Sequence, residues 1–184
     1  SSLPLIVKVI VLDIDKLVAL VESMKGSSAP IIASLELSVF SHATEDEGKV
    51  ERALRNLIPE EVVRTDLRVQ RLSGHYGDPL TLMMANIGNR KDAAESFRSL
   101  VRSLSALDRR RLCDEAGDRV DETGNLYIRF DKQKAFGGKV ALNEADPIRM
   151  RCKFRIPHGA DVACAVRVFI MSVLDEFHNK SEAK

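Results

Sequence analysis

Apolar positions along this chain switch between a period of two and a period of three to four, and each switch marks an element. Residues 5–12 form a short apolar run broken by Lys8 and read as a buried strand, after which Ile14, Leu17, Val18, Val21 and Met24 recur at helical spacing until Gly26. Ser27 to Pro30 read as a linker. Leu35, Leu37 and Val39 then alternate with Glu36, Ser38 and Phe40, which predicts a strand over 32–42. Thr44 and Glu47 have the spacing of a capping box, with a helix behind them that turns Val50, Leu54 and Leu57 inward and stops before Pro59.

Two strands, 66–72 and 80–87, flank a Gly-bearing connection over 73–79 and predict a hairpin. Asn89 caps a helix whose stripe runs Ala93, Ala94, Phe97, Leu100, Val101 and Leu104, and a shorter helix over 108–116 stops at Gly117. A strand over 125–130, a loop over 131–143 and a second strand from 148 follow. The last helix, capped by Asp161, buries Val162, Ala165, Val166, Phe169, Ile170, Val173, Leu174 and Phe177. This order predicts an α+β fold with a mostly antiparallel sheet and helices packed on one face, leaving the other face open to a ligand or partner. Residues 1–30 read as a strand-helix extension, 31–178 as the α+β domain and 179–184 as a polar tail.

The strand from Ile148 to Ile156 has the most informative pattern. Arg149, Arg151, Lys153 and Arg155 alternate strictly with Met150, Cys152 and Phe154, so the four cations share one face over about 20 Å while the apolar side sits on a core. Such a row suits a polyanion; it also suits the wet side of an antiparallel sheet.

Net charge is only +1 over 184 residues, so any polyanion affinity has to come from uneven placement. From 124 to 157 eight cations face three acids, an excess of five, whereas from 1 to 60 nine acids face six cations. Arg129, Lys132 and Lys134 belong to the basic stretch. If the strand carrying Arg129 pairs with that carrying Arg149, their cations form a two-dimensional patch with Tyr127 as its aromatic member. Arg129 and Asp131 point the same way and invite an ion pair. With aromatic content of 5% and no Trp, contacts to phosphates and 2′-hydroxyls of a structured RNA fit better than a base-stacking platform.

Three cysteines, Cys113, Cys152 and Cys164, without a close pair argue against both a disulfide framework and a zinc site, and point to reduced thiols in a cytoplasmic protein. The apolar run over 5–12 is too short to span a bilayer. No P-loop, dinucleotide fingerprint, nucleophile elbow or zinc-protease motif is present, and no cofactor is expected. A metal-assisted RNA hydrolase would need His42 and His75 to converge with Glu45, Asp46, Asp78 or Asp131. His42 can hold a phosphate beside a helix N-terminus or simply orient the turn. In the 74–79 loop, Tyr76 can stack on a base beside His75, or the loop can be a shaped hairpin turn.

Three segments, Ser41-His42-Ala43-Thr44-Glu45-Asp46, Gly74-His75-Tyr76-Gly77-Asp78-Pro79 and Leu126-Tyr127-Ile128-Arg129-Phe130-Asp131-Lys132-Gln133, resemble in order and spacing an archaeal family of RNA-binding proteins predicted to be associated with the exosome. The resemblance covers roughly residues 35–177. It implies an α+β sheet domain likened to double-stranded-RNA-binding domains and to the ribosomal protein that grips 5S rRNA, and it brings no catalytic activity. RNA is the partner implied, with exosome or ribosomal components beside it. A second reading is a protein-interaction or dimerisation subunit, in which the apolar segment from 5 to 24 covers a partner or another copy, giving a homodimer.

Overall fold

The computed structural model describes residues 31–62, 65–74 and 77–182. The strand and helix expected before Pro30 lie outside the described residues, as do His75 and Tyr76. Five strands form one sheet: β1 (Ile31–His42), β2 (Leu67–Ser73), β3 (Pro79–Ile87), β4 (Asn125–Phe130) and β5 (Ile148–Arg155). They lie in the order β2-β3-β1-β5-β4, and every neighbouring pair is antiparallel. The helices are α1 (Glu47–Arg55), α2 (Arg90–Ser103), α3 (Ala106–Glu115), the short α4 (Lys132–Phe136) and α5 (Val162–Glu182). The expected α+β class is the observed one.

Alternation decides which face is buried. Leu35, Leu37 and Val39 of β1, Met83, Ala85 and Ile87 of β3, Leu126, Ile128 and Phe130 of β4, and Met150, Cys152 and Phe154 of β5 all join one core with Ala93, Phe97, Leu100 and Val101 of α2 and Val166, Ile170 and Val173 of α5. Phe97, Phe154 and Phe169 close the middle of that core, with ring centroids 6.0, 5.9 and 5.2 Å apart and the Phe97–Phe154 and Phe154–Phe169 pairs edge to face. Val162, Phe169 and Leu174 are half-buried rather than buried, and the Phe177 side chain lies outside the described residues.

One irregularity resets β1. Ile32 faces Phe154 but Ser34 faces Lys153, so Ala33 is an extra residue in the ladder. This bulge lets Ile32 and Leu35, three positions apart, both turn into the core.

Local chemistry departs from the sequence reading in three places. The cap of α1 is Asp46, whose carboxylate accepts from the Lys49 amide at 3.1 Å, and not Thr44. Glu45 Oε2 instead accepts from the His42 amide at 2.9 Å, and Glu47 accepts the Thr81 hydroxyl at 2.6 Å. A carboxylate accepts amides as readily as a hydroxyl does, so adjacent acids compete for the cap. Second, the expected loop over 131–143 contains α4, capped by Asp131 accepting from the Lys134 amide at 2.9 Å. Third, Asp131 is thereby committed to its cap and to Asn143, and Arg129 pairs with Glu144 at 2.9 Å, so the expected Arg129–Asp131 ion pair does not form. The caps expected at Asn89 and Asp161 are present.

Candidate nucleic-acid interface

Residues directly opposite in an antiparallel pair share a face, so the register lays out the outer side of the sheet row by row. Arg129 of β4 lies opposite Arg149 of β5, and Arg149 opposite Ser38 of β1. One row along, Tyr127, Arg151, Glu36 and Asn86 cross four strands in line, and beyond them Asn125, Lys153 and Ser34 cross three. Arg155, at the end of β5, lies opposite Ile31. Strands are about 4.8 Å apart and same-face neighbours along a strand about 7 Å apart, so the cations of β4 and β5 form an array two strands wide. The buried residues of these strands all belong to the opposite, helix-covered side.

Their pairing differs. Arg149 sits over the Phe40 ring, 5.7 Å from its centroid. Arg151 reaches Glu36 at 3.2 Å and keeps half of its side chain exposed. Lys153 donates to the Thr123 carbonyl. Arg155 and Lys134 are exposed, the latter on α4 rather than on the sheet. Tyr127 is 41% exposed and donates its hydroxyl to Asp121 at 3.0 Å, a hydrogen bond that pushes its titration upward. Asp121 in turn is held well below the usual carboxylate range, first by Asn125, whose side chain and backbone both donate to it, and then by Thr123 and Tyr127. The β4 end of the array is therefore a fixed edge.

Lys132 does not belong to this array. It is 7% exposed, and its ammonium donates to both oxygens of Glu45 at 3.0 and 2.9 Å and to the Phe40 carbonyl at 3.0 Å, and lies 2.5 Å from Asp146. A buried ammonium requires such partners, and they leave it nothing for phosphate. His42 Nε2 meets the other Asp146 oxygen at 3.1 Å. Of the groups proposed for a metal, His42 and Glu45 thus do approach each other, with Asp146 rather than Asp46, Asp78 or Asp131, all three offering ligand atoms within 4.8 Å. The Lys132 ammonium occupies the electrostatic position a cation would take. Burial raises the Asp146 titration, but the hydrogen bonds from Lys132 and His42 outweigh it and hold the carboxyl low. Asp146 reaches this geometry with φ of 42°, a left-handed conformation that Asp tolerates better than most residues.

A second network secures Arg129. Glu144 accepts from Arg119 and Arg129, both at 2.9 Å, and lies 3.6 Å from Arg111, while Glu115 accepts from Arg111 and Arg119. Glu115 titrates low, first because of the Arg111 hydrogen bond; at Glu144 burial pushes the other way and the two arginines prevail. Sequence reading gave no part to Glu36, Glu144 or Asp146. Even their nearest partners in sequence are 115, 15 and 14 residues away, and the local sign was the charged turn before Pro147.

The chain is similar to several known proteins. A family model described as RNA binding matches residues 34–154, which takes in all five strands except the ends of β1 and β5. An RNA-binding protein of Pyrococcus abyssi is 38% identical over 125 residues, 66% of this chain and 81% of that protein. A crystallised DUF54 protein from Archaeoglobus fulgidus superposes with a TM-score of 0.66 at 27% identity, over 77% of this chain and 99% of that one. A DUF54 protein from Methanothermobacter thermautotrophicus gives 0.60 at 29% identity, over 78% and 98%. With two thirds of its length matched by the family model, the chain belongs to this RNA-binding family.

Proposed function

We propose that the protein binds structured RNA without transforming it, through the outer face of β4 and β5. The observation that carries this reading is the register that sets Arg129 against Arg149 and Tyr127 against Arg151, turning a one-dimensional row of cations into a surface. Arg149, Arg151, Lys153, Arg155 and Arg129 contact phosphates and 2′-hydroxyls, with Lys134 as an outlying charge. Lys132 is left out because its ammonium is used internally. The family's description and the name of the Pyrococcus relative support RNA as the polyanion. Neutralisation of the acid-histidine cluster by Lys132 favours binding over hydrolysis. Association with the exosome is a finer proposal, carried by the motif resemblance, and RNase-resistant co-purification with exosome subunits would test it.

Fluorescence anisotropy with a labelled structured RNA, a single strand and a duplex DNA, each from low to physiological salt, tests the central reading. With about four phosphates neutralised, the logarithm of affinity should fall with the logarithm of salt at a slope of about −3 to −4. Tightest binding to the structured RNA is expected. No binding even at low salt would assign the charged row to a solvated sheet face and favour a protein-interaction role.

A further inference from the structure

A recess of about 310 Å³ opens on the outer face of the sheet, where β3, β1, β5 and β4 run side by side. Its walls carry Ser34, Glu36, Asn86, Asn125, Arg151 and Lys153. This chemistry differs from the rest of the basic surface. The Asn86 amide, the Ser34 hydroxyl and the Glu36 carboxylate stand there beside two cations, a set that offers directional donors and acceptors as well as charge, while the Asn125 amide is held by Asp121 and Thr123. The bulge at Ala33 lies beside it and shifts the register so that Ser34 stands opposite Lys153 at the rim.

Glu36 is the informative member. A carboxylate in the middle of a phosphate-binding face weakens attraction for the backbone, and a neutral residue would serve that purpose better. Glu36 is about a third exposed and lies between Arg151 on one neighbouring strand and Asn86 on the other, accepting from Arg151 at 3.2 Å. A carboxylate oriented in this way accepts from two adjacent donors. Among the four RNA bases, guanine presents such a pair on its Watson–Crick edge, the N1–H and the exocyclic amino group. Adenine, cytosine and uracil each mix a donor with acceptors there.

Resting on the RNA-binding reading, we infer that the recess takes one unpaired guanine of the bound RNA. Glu36 accepts from N1–H and N2–H, the Asn86 amide donates to O6, and Arg151 and Lys153 hold the flanking phosphates. Sequence preference then comes from one polar recess, while affinity comes from the cationic array around it.

The test uses the full chain and RNA hairpins that share one stem and a uridine loop, with a single loop position changed to guanine, adenine, cytosine or inosine. Wild-type protein should prefer guanine by about tenfold, and inosine, which lacks the exocyclic amino group, should lose a large part of that preference. Glu36→Gln keeps the shape and removes the acceptor pair. It should bring the four standard loops within about twofold of one another, with no loss of affinity for the uridine loop, because an acid leaves a basic face. Equal binding of all loops by wild type would overturn the inference while leaving phosphate recognition intact. An affinity gain in Glu36→Gln that is the same for every loop, with guanine still preferred, would also overturn it, making Glu36 only a damper of charge. If no hairpin binds at all, the RNA-binding reading itself fails.

Discussion

Replacing Lys132 by Met tests whether the cluster beneath the sheet end is held by a single cation. Met keeps most of the stem volume of Lys in a 7% exposed site and removes only the ammonium. Glu45 and Asp146 would then face each other with oxygens inside 4.8 Å and no cation between them. At an effective dielectric constant of about 20 that repulsion is roughly 3 kcal/mol. Half of the Asp146 side chain and 30% of that of Glu45 are exposed, which reduces the figure to about 2 kcal/mol. Loss of the hydrogen bond to the Phe40 carbonyl adds about 1 kcal/mol. The expected cost is about 3 kcal/mol near pH 7, or a fall in Tm of about 10 °C, measured by urea and thermal unfolding. Because the cost arises from two ionised carboxylates, it should shrink as pH falls below about 4. A change under about 0.5 kcal/mol, or a loss at about pH 3 as large as that at pH 7, would refute this reasoning.

Three further outcomes follow from local geometry and titration. Gly124 has φ of +81° and a Cβ built there would stand 3.0 Å from the Phe154 carbonyl oxygen, so Gly124→Ala should destabilise the protein by about 2 kcal/mol or more in urea unfolding; an unchanged midpoint would contradict that geometry. Glu115 and Glu144 both titrate below their ordinary value because of arginine partners, so their contribution to stability is full above about pH 4.3 and is lost as pH falls through their lowered folded values. Glu144→Gln should flatten the acid limb of a stability-against-pH curve, and an identical limb would count against the network. Cys152 is fully buried and its thiol is pushed up by burial; Cys164 is also pushed up, by partial burial and then by Asp161, but like Cys113 it is partly exposed, so a thiol reagent should reach Cys113 and Cys164 in the native protein and Cys152 only on unfolding.

Alternation made the strands and their buried sides legible, because a period of two states both the element and its inner face. The basic row of β5 is one such case: Met150, Cys152 and Phe154 face the core, and the cations face away from it. What a short pattern cannot state is which distant group answers a charge. Lys132 reads like Lys134 in sequence, yet one ammonium is enclosed by Glu45 and Asp146 and the other is exposed. Arg129 passes over Asp131, two residues away, for Glu144 on a turn that only the tertiary fold brings near. Competition within a run of acids hid the cap of α1, since Thr44, Glu45, Asp46 and Glu47 can all accept an amide and position alone separates them. The bulge at Ala33 had no signal in composition; it shows only in the register between β1 and β5. The motif positions His75 and Tyr76 lie outside the described residues and stay as sequence expectations.

The most direct measurement compares two double variants that remove the same charge from two different elements, the sheet and a helix packed on its buried face. Arg149→Ala with Arg151→Ala takes two cations from the outer sheet face, and Arg90→Ala with Lys91→Ala takes two exposed cations from the start of α2 on the helix side. Anisotropy with one structured RNA across a salt series should show the sheet variant binding at least tenfold more weakly, with a salt slope shallower by about 2, while the helix variant stays within about twofold of wild type. Equal losses in both folded variants would mean that overall charge, and not the face built by β4 and β5, attracts the RNA.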